Sequence, residues 1–107
     1  MGSYFVYDQI KKEELIRSLT DQLTVLRTKA EVSQEQLALV IGISRQTYST
    51  IETKKKQMSW QIYMALILYF NSNEKTKKLL HTIVEVPDGI KRNGVFRQKR
   101  GNTPFLF

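Results

Sequence analysis

The chain contains no cysteine in 107 residues, so it has neither a disulfide framework nor a thiolate metal site. It has one histidine, His81. With no cysteine and no nearby acidic pair, His81 is read as a surface residue rather than a metal ligand. The longest apolar run, around Met64 to Phe70, is far too short to span a membrane. No basic segment followed by an apolar one opens the chain, as a secretion signal would, so a cytoplasmic protein is expected. Glu13 and Glu14 are adjacent carboxylates, but sequence neighbours on a helix point apart. There is no nucleophile–base pair and no glycine-rich phosphate loop. No catalytic residue, cofactor or metal is therefore assigned, and the chain reads as a non-enzyme. Nor is there any internal repeat. The length suits one domain with a single modest core.

What is present is positive charge, unevenly placed. The formal net charge is +7. Residues 1–50 carry six basic and six acidic side chains, whereas residues 51–107 carry eleven and four. All of the excess therefore lies in the second half. Such a surface attracts polyanions, and phosphate neutralisation with counterion release supplies most non-specific DNA affinity. A lysine-rich face that is merely solvated is the plain alternative.

The apolar pattern predicts an all-α protein of five helices and a basic C-terminal tail. A first helix over about Gln9 to Ala30, capped by Asp8, carries the stripe Ile10, Leu15, Ile16, Leu19, Leu23 and Leu26. It has a potential break at Thr20-Asp21, where Thr20 would cap a second segment. Two short helices follow within Ser33 to Glu52. Ser59 caps a fourth, Trp60 to about Phe70, which is apolar nearly all round and so central to the core. Asn71-Ser72-Asn73 is a turn, and Asn73 caps a fifth helix to about Val86, stopped by Pro87-Asp88-Gly89. The resulting division is residues 1–21 as an N-terminal extension with the start of helix one, 22–86 as the main domain and 87–107 as the tail.

The stretch Ser33 to Glu52, SQEQLALVIGISRQTYSTIE, is the most specific. Leu37, Val40 and Ile41 fall at helical spacing, with Ala38 small enough for close helix approach. Ser33 with Gln36 fits a capping box. Gly42 can end the helix in a left-handed conformation, Ile43 points back as an apolar plug, and Ser44 can cap the next helix. There Tyr48 and Ile51 face the core, so a buried Tyr48 needs a hydroxyl partner or an outlet to the surface. Arg45, Gln46, Ser49 and Thr50 take the other side. This is how hydrogen-bonding side chains are offered to the major groove of DNA. Arg45 can pair with guanine O6 and N7, and Gln46 with adenine N6 and N7. Lys54, Lys55 and Lys56 follow directly and are expected to reach flanking phosphates. Thr47 either contacts phosphate or supports the cap.

From about Leu23 to Phe70 the chain resembles the phage-repressor/Cro-like helix-turn-helix family, often called the Xre family. The marks are Leu26-Arg27, Ala30, Ser33-Gln34-Glu35-Gln36-Leu37-Ala38, Ile41-Gly42-Ile43-Ser44-Arg45-Gln46-Thr47 and Ile51-Glu52. The resemblance implies a lambda-repressor-like fold, a phosphate contact at Gln34, a base-reading role at Thr50, and a structural ion pair between Arg27 and Glu52. Two positions depart from the family: Thr53 stands where glycine often follows the glutamate, and Tyr48 where isoleucine or valine is usual.

The expected function is a sequence-specific, repressor-like transcriptional regulator. It would bind double-stranded operator DNA as a homodimer, because two recognition helices read a palindrome one helical turn apart. An antitoxin with the same DNA-binding domain and a toxin-binding extension is an alternative, as is a protein-interaction module on the same fold. The tail has two readings: a basic arm of Lys91, Arg92, Arg97, Lys99 and Arg100 on DNA, or packing of Val95-Phe96 and Phe105-Leu106-Phe107 on the domain or a partner subunit; docking of Phe105 to Phe107, with the basic part exposed, is favoured.

Overall fold

The structure, a computed structural model, describes residues 7–91 apart from the side chains of Asp88 and Lys91. The expectations for residues 1–6, the basic arm and the terminal aromatics lie outside the described residues. Seven helical segments occur among those described: α1 Gln9–Asp21, α2 Leu23–Ala30, α3 Gln34–Ile41, α4 Arg45–Glu52, α5 Trp60–Ser72, α6 Lys77–Ile83 and the single turn α7 Asp88–Lys91. None of them is long and apolar enough to cross a membrane.

The expected first helix is two. The Asp8 side chain caps α1 by accepting from the Lys11 amide at 2.9 Å. The break falls at Gln22, whose φ of −112° leaves the helical region. Thr20 does not cap the second segment as expected. Its hydroxyl turns back to the Ile16 carbonyl at 2.7 Å, which is the hydrogen bond a mid-helix threonine makes when no free amide lies ahead of it. Ile10, placed in the core stripe by spacing, is 70% exposed. Helix α1 begins only one residue earlier, so Ile10 lies in its first turn, ahead of the core that Leu15 and Leu19 enter.

Helix α5 is the centre of packing. Ser59 caps it, accepting from the Ile62 amide at 3.1 Å, and Tyr63, Leu66, Ile67 and Phe70 are fully buried along it. It contacts α1, α3 and α6, while α3 packs on α4 and α1 on α2. A single apolar core draws side chains from every helix, from Leu15 in α1 to Ile90 in α7. Helix α5 also runs on to Ser72, past its expected end at Phe70.

The next helix is shorter than expected because the reversal after α5 uses buried Thr76. Its hydroxyl donates to the Phe70 carbonyl at 2.8 Å. Asn73 accepts from the Lys75 amide at 2.8 Å, making a local turn rather than a helix start. Helix α6 therefore begins at Lys77, and Val84 is already extended. The helix thus ends at Ile83, before Pro87 is reached, and Asp88-Gly89 are not its stop but open α7, which buries Ile90.

Candidate nucleic-acid interface

Helices α3 and α4 and their turn follow the local chemistry closely. Ser33 and Gln36 form both halves of a capping box: Ser33 N–H donates to Gln36 Oε1 at 2.8 Å, and Gln36 N–H to Ser33 Oγ at 3.0 Å. Gly42 ends α3 with φ +84°, a conformation that costs an L side chain energy. Its amide and that of Ile43 both close on the Ala38 carbonyl, at 2.9 and 3.0 Å. The Gly42 amide also reaches the Leu39 carbonyl at 3.3 Å, so carbonyls that the helix end would leave orphaned are satisfied. Ser44 caps α4, accepting from the Thr47 amide at 3.0 Å.

Burial sorts the candidate residues. Tyr48 and Ile51 are buried on α4, and Leu37 and Ala38 on α3. Ile41 and Ile43 are half-buried against the core. Val40, expected inside from its spacing, is 62% exposed, and its neighbour Leu39 is 79% exposed. The core side of α3 is taken by Leu37 and Ala38, with Ile41 beside them, and Val40 falls outside that row.

On α4, Arg45 and Gln46 are exposed and bind no other side chain among the described residues. Ser49 and Thr50 are half-buried. The Thr50 hydroxyl donates to the Thr47 carbonyl at 2.8 Å. Thr47 accepts from the Ser44 hydroxyl at 2.9 Å, so it sits within the cap. Gln34, the first residue of α3, is half-buried.

The far end of α4 is fastened by charge. Arg27 Nε donates to Glu52 Oε1 and Nη2 to Oε2, both at 3.0 Å, while Nη1 reaches the Val32 carbonyl at 3.1 Å. Thr24 adds a hydroxyl to Glu52 Oε2 at 2.7 Å. The Glu52 side chain is 6% exposed and that of Arg27 18%. Burial by itself raises the Glu52 carboxyl. The hydrogen bonds from Arg27 and Thr24, with the Tyr48 phenol beside them, outweigh it and hold the group at about 2. The Tyr48 hydroxyl is buried with no hydrogen bond of standard geometry. Burial first, and then the nearby Glu52, push its pKa up. The phenol therefore remains neutral beside the ion pair.

At the exit from α4, Thr53, which stands where the resembled family often has glycine, has an ordinary φ of −87°. The left-handed residue is Lys54, with φ +67°. Its ammonium lies 2.9 Å from Asp21 Oδ1 at the end of α1. The amides of Lys55 and Lys56 close on the Thr50 carbonyl at 2.9 and 3.1 Å, so the lysine run is anchored to the last turn of α4.

Thr24 and Asp21 were not singled out from sequence. Thr24 had a signal: it lies three residues before Arg27, on the same helix face. Asp21 had none, because it meets Lys54 across 33 residues of chain. His81, read as a surface residue, is half-buried, and its Nε2 lies 2.6 Å from Oδ1 of buried Asn71. Among the described residues no group of histidine, aspartate and glutamate side chains is gathered as a metal site.

Compared with known protein families, residues 25–59 match the family described as helix-turn-helix. No curated protein and no solved structure matches the chain. The matched segment spans α3, α4 and their turn, and it agrees with the phage-repressor/Cro-like helix-turn-helix that the sequence resembles.

Proposed function

We propose that the protein is a sequence-specific, repressor-like regulator that lays α4 in the major groove of operator DNA. Arg45 and Gln46 read base edges, with Ser49 and Thr50 as shorter supplementary contacts. Gln34, Thr47, Lys55 and Lys56 meet phosphate, where they fix register and add affinity without choosing sequence. Arg27 and Glu52 orient α4 and touch no base. Two copies bind a palindrome, and the protein works where the DNA is, in the cytoplasm.

One observation carries this reading. The two side chains best suited to bidentate base contact are the exposed, unengaged ones on α4, and the opposite end of that helix is fixed by an ion pair. A helix held in this way presents its free side chains in one orientation. Ordering them on DNA then costs little beyond their own rotamers.

Selection of bound sites from random DNA, followed by affinity measurement against salt, tests it. A palindromic site is the expected result. Binding with no sequence preference and a steep salt slope would overturn the base-reading assignment and leave only a basic surface.

A further inference from the structure

We propose that Asp21 limits the DNA affinity of this protein by keeping the Lys54 ammonium off the phosphate backbone. The inference rests on the DNA-binding reading and assigns a role to a residue outside the helix-turn-helix itself.

The three consecutive lysines are not equivalent. Lys54, Lys55 and Lys56 are all exposed, and all three amides hydrogen-bond to carbonyls of α4, at 3.0, 2.9 and 3.1 Å. The loop therefore moves with the recognition helix. Lys55 and Lys56 form no ion pair among the described residues. Lys54 does, 2.9 Å from Asp21. Its left-handed backbone sets the direction of its side chain differently from those of its neighbours. A cation already neutralised by a carboxylate releases no counterion when DNA arrives, so it adds nothing to the salt dependence of binding. The pair is well exposed, at 60% for Lys54 and 49% for Asp21. It is thus a modest restraint, suited to trimming affinity rather than abolishing it.

A double-mutant cycle isolates the effect from the general gain of removing a negative charge. Wild type, Asp21→Asn, Lys54→Gly and the double variant are titrated with a mixed-sequence DNA duplex between about 50 and 200 mM salt. Glycine accepts φ +67° without penalty, and both side chains are exposed, so the variants fold. Thermal melts verify that.

Asp21→Asn is expected to bind roughly two- to fivefold tighter at low salt, with the log–log salt slope steeper by about 0.9 per protomer. Lys54→Gly keeps the wild-type slope, and the gain from Asp21→Asn disappears in the double variant. A gain that persists without Lys54 would show that only overall charge matters and would overturn the proposal. So would a wild type that binds while Asp21→Asn binds identically. A wild type that does not bind DNA would instead overturn the DNA-binding reading on which this inference stands.

Discussion

Arg27 grips Glu52 with two guanidinium nitrogens, each 3.0 Å from a different carboxylate oxygen. Helix α2 is thereby joined to the last residue of α4, 25 positions further along the chain. The bidentate geometry fixes both the distance and the rotation of the two helices. A third guanidinium nitrogen on the Val32 carbonyl ties the same residue to the segment leading into α3. One side chain therefore sets the position of both helices of the helix-turn-helix.

Arg27→Ala strands the Glu52 carboxylate, which is 6% exposed. Breaking a buried pair from one side costs about 3–5 kcal/mol, a large part of the stability of a domain this size. The denaturant midpoint should fall sharply, while the protein that remains folded keeps the wild-type order of preference among DNA sites. An unchanged midpoint would remove the structural role given to this pair.

Glu52 gives the domain an acid-sensitive component. Its carboxyl is held at about 2 in the folded chain, below the value of about 4.3 of an unfolded glutamate. A depressed carboxylate stabilises fully above the unfolded value, and the contribution is lost as pH falls toward the folded one. The gap in stability between wild type and Glu52→Gln should therefore be widest near neutrality. It should narrow steadily between about pH 4.3 and pH 2. Urea titrations at several pH values measure it, and a gap independent of pH would contradict the assignment.

Gly42 separates backbone cost from steric cost. A Cβ built there meets nothing within 4 Å, so Gly42→Ala carries only the left-handed penalty of about 1–2 kcal/mol. Gly42→Asn should lose less, because asparagine tolerates this region. Thermal melts of the two variants rank them. Equal losses would mean that something other than φ is at stake.

Base-reading and phosphate-binding residues should separate on DNA. Gln46→Ala or Arg45→Ala should cost about 1–3 kcal/mol on the selected site and relax preference at one position. Lys55→Ala or Lys56→Ala should weaken binding evenly across sequences and reduce the salt slope by about 0.9 per protomer. Competition between the selected site and a single-base variant, repeated at several salt concentrations, distinguishes the two classes.

The parts legible in the sequence are those decided within a few residues. Ser33, Gly42, Ser44 and Ser59 cap or end helices because the groups they satisfy lie within one turn. The buried row of α5 was legible for a similar reason, since a helix apolar nearly all round has nowhere to go but inward. Val40 and Ile10 were not, because an apolar side chain at helical spacing is buried only if a neighbouring helix reaches it. Thr76 was hidden for the opposite reason: it is a polar residue whose burial depends on a carbonyl six positions earlier. The left-handed residue after α4, Lys54, was not legible either, since lysine carries no signal for that conformation. Its ion-pair partner Asp21 is far away in the chain and equally unmarked.

Glu85 also bears on how the chain folds. Its carboxylate pairs with Lys11, and its amide donates to Ser18 Oγ at 2.9 Å, so the first helix is closed against a segment 67 and 74 residues later. Contacts inside the helix-turn-helix are local and can form early, whereas this closure must wait for nearly the whole domain. On a ribosome, α1 leaves first and acquires these partners last. Truncation before Glu85 would leave α4 synthesised and α1 without this closure.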